Sequence, residues 1–419
     1  MNHYEYDIIV FSLFRDDSAY SSVSLSLAKE WAKNNRVFYI NHPYSLKDWW
    51  EKRHEPHLQK RKIGFRKAEV QFEECPTMPN IICVTPPPTL PINFLPDGTI
   101  YNMFNRLNNR AVTLALKETI KKYNIKKYIF YNCYDPFFLT ELPKNLEVPP
   151  SVTVYHCIDD LDHEAYTAKH GMRLEKEMVK QYDICLATAT QLRKKYLDVQ
   201  PDAQILTNAV DISIFRKVLE QDFERPTELK NINTKIIGFT GNLDHLRIDY
   251  QLFKKIALAH ADKTLVIVGP INSQEFYEVG LDKLPNVVFT GGKKIEDLPQ
   301  YVHFFDVAII PFRLNGVTRS IYPLKINEYL GAGRAVVSTK FSEDIQFFRD
   351  VIYLADNEDD FMQKINQAIT ENSDDKIIER VNIASRNTWT DRVEQFWDIV
   401  ETHLQKQAFS EKKALAEML

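Results

Sequence analysis

Residues 313–339 hold the groups best suited to chemistry. Pro323-Leu324-Lys325 opens a periodic run that ends at Gly331 and Gly333. Proline suits the first turn of a helix, where its missing N–H costs nothing, and glycine suits the end. A helix start offers backbone N–H groups and the positive end of the dipole, and Lys325 adds a full charge beside them. That combination is an anion site, most simply for phosphate. Glu328 follows about one turn further in, with its carboxylate about 6 Å along the axis from the helix start. A carboxylate repels phosphate, but it accepts hydrogen bonds from the two hydroxyls of a ribose. Phosphate at the tip and ribose one turn along describe a nucleoside diphosphate lying across a helix N-terminus.

Strands must hold this helix in place. The apolar runs 306–312 and 335–339 are short and β-branched, so the order is strand, polar loop, helix, strand. In an α/β domain with a parallel sheet, ligands gather at the C-terminal edge of the strands. Earlier in the chain, residues 7–13 and 36–41 read as strands around a helix over 18–34, the opening of a βαβ unit. No Gly-x-Gly-x-x-Gly follows that first strand, which disfavours a nicotinamide or flavin site and with it a Rossmann oxidoreductase. Further strands are expected at 80–85, 127–131, 151–156, 183–188, 264–269, 286–290 and 351–354, and a long helix over 101–123.

Pro323-Leu324-Lys325-x-x-Glu328-Tyr329-Leu330-x-x-Gly333, followed by Val336-Val337-Ser338-Thr339, resembles the sugar-nucleotide site of GT-B glycosyltransferases. The likeness is to the retaining group 1, or family 4, and within it to cell-surface polysaccharide assembly of the teichuronic-acid type. It spans about residues 150 to 405 and fades over the first 150. Asn208-Ala209-Val210-Asp211-x-x-x-Phe215 is similar to the family's joining segment, with alanine for the usual glycine. The resemblance implies two Rossmann-like, doubly wound α/β domains facing each other across a cleft. Their expected bounds are 1–207 on the acceptor side and 208–388 on the donor side. Residues 389–419 would form the closing helix that crosses back to the first domain.

For the donor, the resemblance implies a turn at Gly241-Asn242, a diphosphate arginine at Arg247 and a nucleobase turn at Gly291-Gly292. The donor-side loop and helix would contribute Arg313, Thr318, Arg319, Ser320, Tyr322, Pro323, Leu324, Lys325 and Glu328. Polar groups at a strand's C-terminal end point to His156, Asp159 and Asp160 in the first half, with Asx capping of the next helix as the rival reading of the aspartates. The expected catalytic set is Lys325, Arg247, His156 and Asp160. No Asp-x-Asp pair marks the donor half, so no metal is expected, and the implied substrate is a UDP- or GDP-linked sugar rather than a cofactor. Relatives often carry a glutamate, seven residues and a second glutamate; here Glu328 is the second, and Ser320 stands at the first. That departure also admits a catalytically silent nucleotide-sugar binder or assembly partner.

At 419 residues the chain has room for roughly two to three domains. A formal net charge of −4 gives no case for nucleic-acid binding. No apolar run approaches the roughly 18 residues of a spanning helix, and the N-terminus lacks a signal-peptide pattern, so a cytoplasmic protein is expected. The five cysteines have no metal spacing and are expected to be reduced and mostly buried. Residues 47–67 interleave Trp49, Trp50 and Phe65 with eight Lys and Arg residues. Such a segment fits an anionic surface at the inner face of the cell membrane, or a lipid-diphosphate acceptor. The rival reading is a solvated excursion whose tryptophans pack on the domain. The implied acceptor is a glycan or a lipid-linked sugar.

Overall fold

The structure, a computed structural model, describes residues 3–418 apart from 19–21, 76, 77, 79 and 164. The chain divides into two compact units, Met1–Thr207 with Arg392–Leu419, and Asn208–Asp391.

Among the described residues, unit 1 is built on eight strands: β1 (Asp7–Ser12), β2 (Val37–Asn41), β3 (Gln71–Glu74), β4 (Ile81–Thr85), β5 (Tyr128–Cys133), β6 (Val152–Cys157), β7 (Ile184–Ala187) and β8 (Gln204–Ile205). Their order is β3-β4-β2-β1-β5-β6-β7-β8, parallel throughout except for β3 against β4. Every residue of β1, β2 and β5 is buried, as expected for parallel strands covered by helices on both faces. The first helix is Val23–Trp31, capped by the Ser22 hydroxyl, which accepts the Leu25 N–H; of the helix expected over 18–34, residues 19–21 lie outside the described residues. From Arg392 the last helix, Trp389–Met418, belongs to unit 1. Phe396 packs edge-on against Trp31, with ring centroids 4.8 Å apart, and Trp397 stacks on His3 at 4.7 Å.

The basic segment folds as three short helices, Leu46–Lys52, Pro56–Lys60 and Lys62–Lys67, gathered on buried Tyr44, Leu58 and Phe65. Trp49 stacks on Phe65 at 4.9 Å, whereas Trp50 stays 70% exposed. Arg61 corrects the picture of a uniformly basic surface. It is buried, bonds Thr85 Oγ1 at 3.1 Å, and pairs with Asp16, Asp17 and Glu73. A guanidinium cannot enter a protein interior without such partners.

Unit 2 has six parallel strands, β9 (Ile236–Thr240), β10 (Thr264–Val268), β11 (Val287–Phe289), β12 (Val307–Ile310), β13 (Val336–Thr339) and β14 (Tyr353–Ala355), in the order β11-β10-β9-β12-β13-β14. Successive strand residues enter opposite cores: Ile236, Val266 and Ala308 pack on one face, Ile237, Leu265 and Val307 on the other. All five cysteines are free and buried. Among the described residues, no helix is long and apolar enough to cross a membrane.

Candidate functional site

The C-terminal ends of β9, β10 and β11 each carry a glycine in close backbone contact. Gly241 donates its N–H to Val268 O at 2.8 Å, and Gly269 donates to Gly291 O at 3.0 Å. A Cβ on Gly269 would stand 1.7 Å from Gly241 O. Helix Leu324–Gly331 begins beside this floor. Its Tyr329 hydroxyl, buried, accepts the Thr240 N–H at 2.8 Å and so pins the helix to the end of β9. A Cβ on Gly241 would meet Lys325 Cε at 3.3 Å, so the lysine stem lies directly on the first glycine turn. Lys325 Nζ reaches Glu328 Oε2 at 2.9 Å, and the Glu328 side chain is only 4% exposed. Gly241, Lys325 and Glu328 therefore form one cluster of bare backbone, ammonium and carboxylate.

The loops that follow β9 and β12 are tied together at the same edge. Arg313 donates its backbone N–H to Arg247 O at 2.8 Å, and Ile248 bridges Phe312. Arg247 stands 3.7 Å from Asp244 with its side chain 42% exposed, and Arg319 is exposed. Asn242 is exposed and accepts a hydrogen bond from Asn272 at 2.7 Å, while Gly291 and Gly292 lie at the end of β11.

Several expected ligand groups already have partners within the protein. Pro323 precedes the helix as its cap with φ −77° and ψ 71°, an inverse γ-turn, and the Leu324 N–H closes it on Tyr322 O at 2.8 Å. The Ile326 N–H bonds Pro323 O at 3.1 Å. The Leu324 amide expected to meet an anion is therefore already taken by this turn. Thr318 is fully buried, and its hydroxyl donates to Arg313 O at 2.5 Å inside a capping box with Asn315. Ser320 Oγ turns back to Gly316 O at 3.4 Å. The buried Tyr322 hydroxyl accepts from Asn327 at 3.3 Å. Arg313 spends its guanidinium on Ile248 O, at 2.7 Å, and on Glu275.

In unit 1, His156, expected in the catalytic set, is fully buried in β6. Its Nε2 lies 3.0 Å from Leu206 O and must carry the proton, so Nδ1 accepts from the Tyr131 hydroxyl at 2.5 Å. Burial pushes its pKa from 6.5 down to about 3, although the Leu206 bond works the other way. As pH falls below 6.5, the unfolded chain binds a proton here that the folded one refuses. Stability should then fall by about 1.4 kcal/mol per pH unit, in addition to other groups. His156→Gln keeps a donor for Leu206 and an acceptor for Tyr131. It should flatten the urea midpoint between about pH 7 and 4.5; an unchanged slope would contradict this assignment.

Asp160 also has a partner. Burial alone would raise its carboxyl, but the hydrogen bond and charge of Lys195 outweigh that and hold it low. The Asp160 N–H bonds Asp159 Oδ1 at 2.8 Å, so these residues form a local turn.

Two features of unit 1 had no sequence signal. His42 Nδ1 lies 2.5 Å from Oδ2 of the fully buried Asp135, a pair 93 residues apart. His42 lines a cavity of about 620 Å³ within unit 1, together with Arg15, Asn93, Tyr101, Phe137 and Tyr166. Separately, the ligand atoms of Asp16, Cys75 and Cys83 lie within 4.8 Å of one another. Asp16 is paired with Arg61 there at 3.2 Å, so a cation would have to displace a guanidinium.

Residues 234–371, inside unit 2, match the family described as Glycosyl transferases group 1. A putative teichuronic acid biosynthesis glycosyltransferase, TuaH, of Bacillus subtilis (strain 168) is 29% identical over 160 residues; the match spans 37% of this chain and 40% of that protein. The fold is GT-B, an α/β architecture of two Rossmann-like units. Sucrose-phosphate synthase of Thermosynechococcus elongatus shares it with TM-score 0.61 and 14% identity, over 97% of this chain and all of that one. The Anabaena HepE structure in complex with UDP gives TM-score 0.62 and 14% identity, over 94% of this chain and all of that one. The Escherichia coli structure titled trehalose-6-phosphate, bound with UDP-2-fluoro glucose, gives 0.65 and 10% identity, over 95% and 99% of the two chains. By sequence and fold, the chain resembles the group 1 glycosyltransferases and their teichuronic-acid branch.

Proposed function

We propose that this chain is a group 1 glycosyltransferase that moves a sugar from a nucleoside diphosphate to a hydroxyl of a surface-polysaccharide or lipid-linked acceptor, with retention and without a metal. One observation carries the reading: Lys325 lies on the bare Gly241 turn while its ammonium holds Glu328. A diphosphate seated on that glycine turn meets the ammonium at once. The Glu328 carboxylate then turns to the ribose hydroxyls, which supply the donors it loses from Lys325.

Transfer breaks the bond from the anomeric carbon to the diphosphate, which leaves with the electron pair. Lys325, Arg247, Arg319 and the first turn of the helix from Leu324 would supply the positive charge that stabilises it. The acceptor oxygen bonds the same carbon from the same face, and its proton passes to the departing phosphate oxygen. Ser320 replaces an expected glutamate and points back into its own turn, so no carboxylate is assigned to the transferred sugar.

UDP-sugars are the first donors to test, because two structures of this fold carry uridine nucleotides. Melting temperature should rise with UDP- or GDP-sugars, and the wild type should release the diphosphate from one of them. Binding without turnover for any donor and acceptor would favour the silent binder that Ser320 admits. We also place the protein at the inner face of the cell membrane, through Trp50 and the cations around it. Lys60→Gln with Lys62→Gln should reduce sedimentation with anionic vesicles; unchanged sedimentation would rule that surface out. Arg61 is left intact because it belongs to the interior.

A further inference from the structure

Arg61 enters the interior of unit 1 among three carboxylates, but two neighbouring arginines of unit 2 have no such company. Arg380, on the helix Asp374–Ala384, is only 2% exposed. Its Nη1 bonds Gly333 O at 3.2 Å and Asn372 Oδ1 at 2.6 Å; among the described residues, its Nε and Nη2 have no hydrogen bond. Arg334 follows Gly333 directly. Its Nη1 bonds Phe305 O at 3.3 Å, and its Nε is buried without a hydrogen-bond partner. Among the described residues, neither guanidinium is hydrogen-bonded to a carboxylate or ion-paired with one. Asp306, the acid that favours the charged form of Arg334, gives its oxygens to Lys235 and the Ile236 N–H, each at 2.8 Å.

A helix end explains part of this arrangement. Gly333 lies just past the helix Leu324–Gly331, and a cation there complements the negative end of the dipole. That role uses one nitrogen of the three on Arg380 and leaves two like charges together in a desolvated place. Burial pushes the pKa of Arg334 down to about 10; Asp306 opposes the shift, and the charge of Arg380 adds to it. Burial lowers that of Arg380 as well. Desolvated cations are costly unless a counter-charge joins them. An anion that accepts from two guanidinium forks must be compact, rich in oxygens and able to carry two charges. Phosphate meets all three conditions.

We propose that Arg334 and Arg380 form a binding site for a small phosphate-class oxyanion, with the unbonded nitrogens of both guanidiniums as its donors. Phe305 and Arg334 precede β12 and β13, so the site lies at the opposite edge of the sheet from Gly241, Gly269 and Gly291. It sits beyond the far end of the helix that carries Lys325 and Glu328. The inference therefore goes beyond the transferase reading and does not rest on it.

The test titrates the full chain with sodium phosphate in a chloride buffer of constant ionic strength, without nucleotide. Calorimetry should show saturable binding at millimolar phosphate or below, and melting temperature should rise by about 2–4 °C and then level off. The double variant Lys325→Met, Glu328→Gln should keep this binding, which separates it from any phosphate at the glycine turns. Arg334→Gln should weaken it about tenfold or more, the cost of lost hydrogen bonds to a charged group. Arg380→Lys, which keeps the charge and loses the fork, should weaken it less. Circular dichroism like that of wild type shows that the variants fold. Glucose 6-phosphate in a parallel titration tells a free ion from the phosphate group of an ester. The proposal is overturned if wild type shows no saturable binding, or if its melting temperature rises without levelling off and equally in Arg334→Gln, the mark of general salt exclusion. Binding lost in the Lys325 and Glu328 double variant but kept in Arg334→Gln would also overturn it.

Discussion

Lys325→Ala is expected to cut turnover about 10²–10³-fold, the usual cost of one well-placed donor to developing negative charge. The same change has a structural cost. Glu328 is nearly buried, and Lys325 is the ion-pair partner the structure assigns it, at 2.9 Å. Removing one member of a buried pair leaves the other charge uncompensated; because the lysine is 25% exposed, about 1–3 kcal/mol is a fair scale. Loss of activity alone would therefore not prove contact with a diphosphate. The double variant Lys325→Met, Glu328→Gln separates the two effects. It removes both charges and keeps the helix packed, so stability should return toward wild type. If the ammonium serves the leaving group, turnover stays low in the double variant. If Lys325 matters only as a cap on Glu328, turnover recovers, and the assignment fails. Glu328→Gln alone should weaken nucleotide binding more than it slows turnover at saturation, since ribose contacts act in both ground and transition state.

The strands of this fold were legible because they are short, apolar and bounded by polar turns. Residues 236–240 and 307–310 are buried along their whole length, and such runs read as parallel strands wherever a helix must follow. The helix after Pro323 was legible for the same reason, together with the lysine and glutamate on it. Directions of side chains and amides were not. Spacing places Thr318, Ser320 and Tyr322 near the helix start, but their hydroxyls close local turns or face the interior. Proline at 323 promised open amides; its ψ of 71° instead made a tight turn that takes the first of them. Arg61 reads as one charge among eight in a basic segment, yet three carboxylates draw it inside. His42 and Asp135 follow different strands, β2 and β5, on either side of β1, so only the folded sheet brings them together.

Gly269→Ala should be the most damaging small substitution in unit 2. The added methyl would sit 1.7 Å from Gly241 O and 2.7 Å from Gly241 C, both backbone atoms that no rotamer change can clear. Neither partner is free to retreat, because Gly241 donates to Val268 O at 2.8 Å and Gly269 donates to Gly291 O at 3.0 Å. Relief requires the end of β9 to separate from that of β10, which breaks part of this ladder and lifts Gly241 from beneath Lys325. A cost of about 2–4 kcal/mol follows for an overpacked interior site, or roughly 5–10 °C in melting temperature for a unit of this size. The functional effect should be larger than a loss of stability alone would give. UDP affinity measured well below the melting temperature should fall about tenfold or more, since one such factor is only about 1.4 kcal/mol of lost fit. Gly292→Ala is the steric comparison: its nearest neighbour would be Pro270 Cδ at 3.6 Å, ordinary contact, so it should leave stability near wild type. Wild-type UDP affinity in Gly269→Ala would mean that the glycine floor is not where the diphosphate rests. An equal loss of affinity in both variants would point to the turn after β11, where the resemblance expects the base, rather than to the floor. Under the proposed function, the close approach of Gly241 to Gly269 would tie the stability of the sheet edge to nucleotide binding, because one set of backbone contacts would support both.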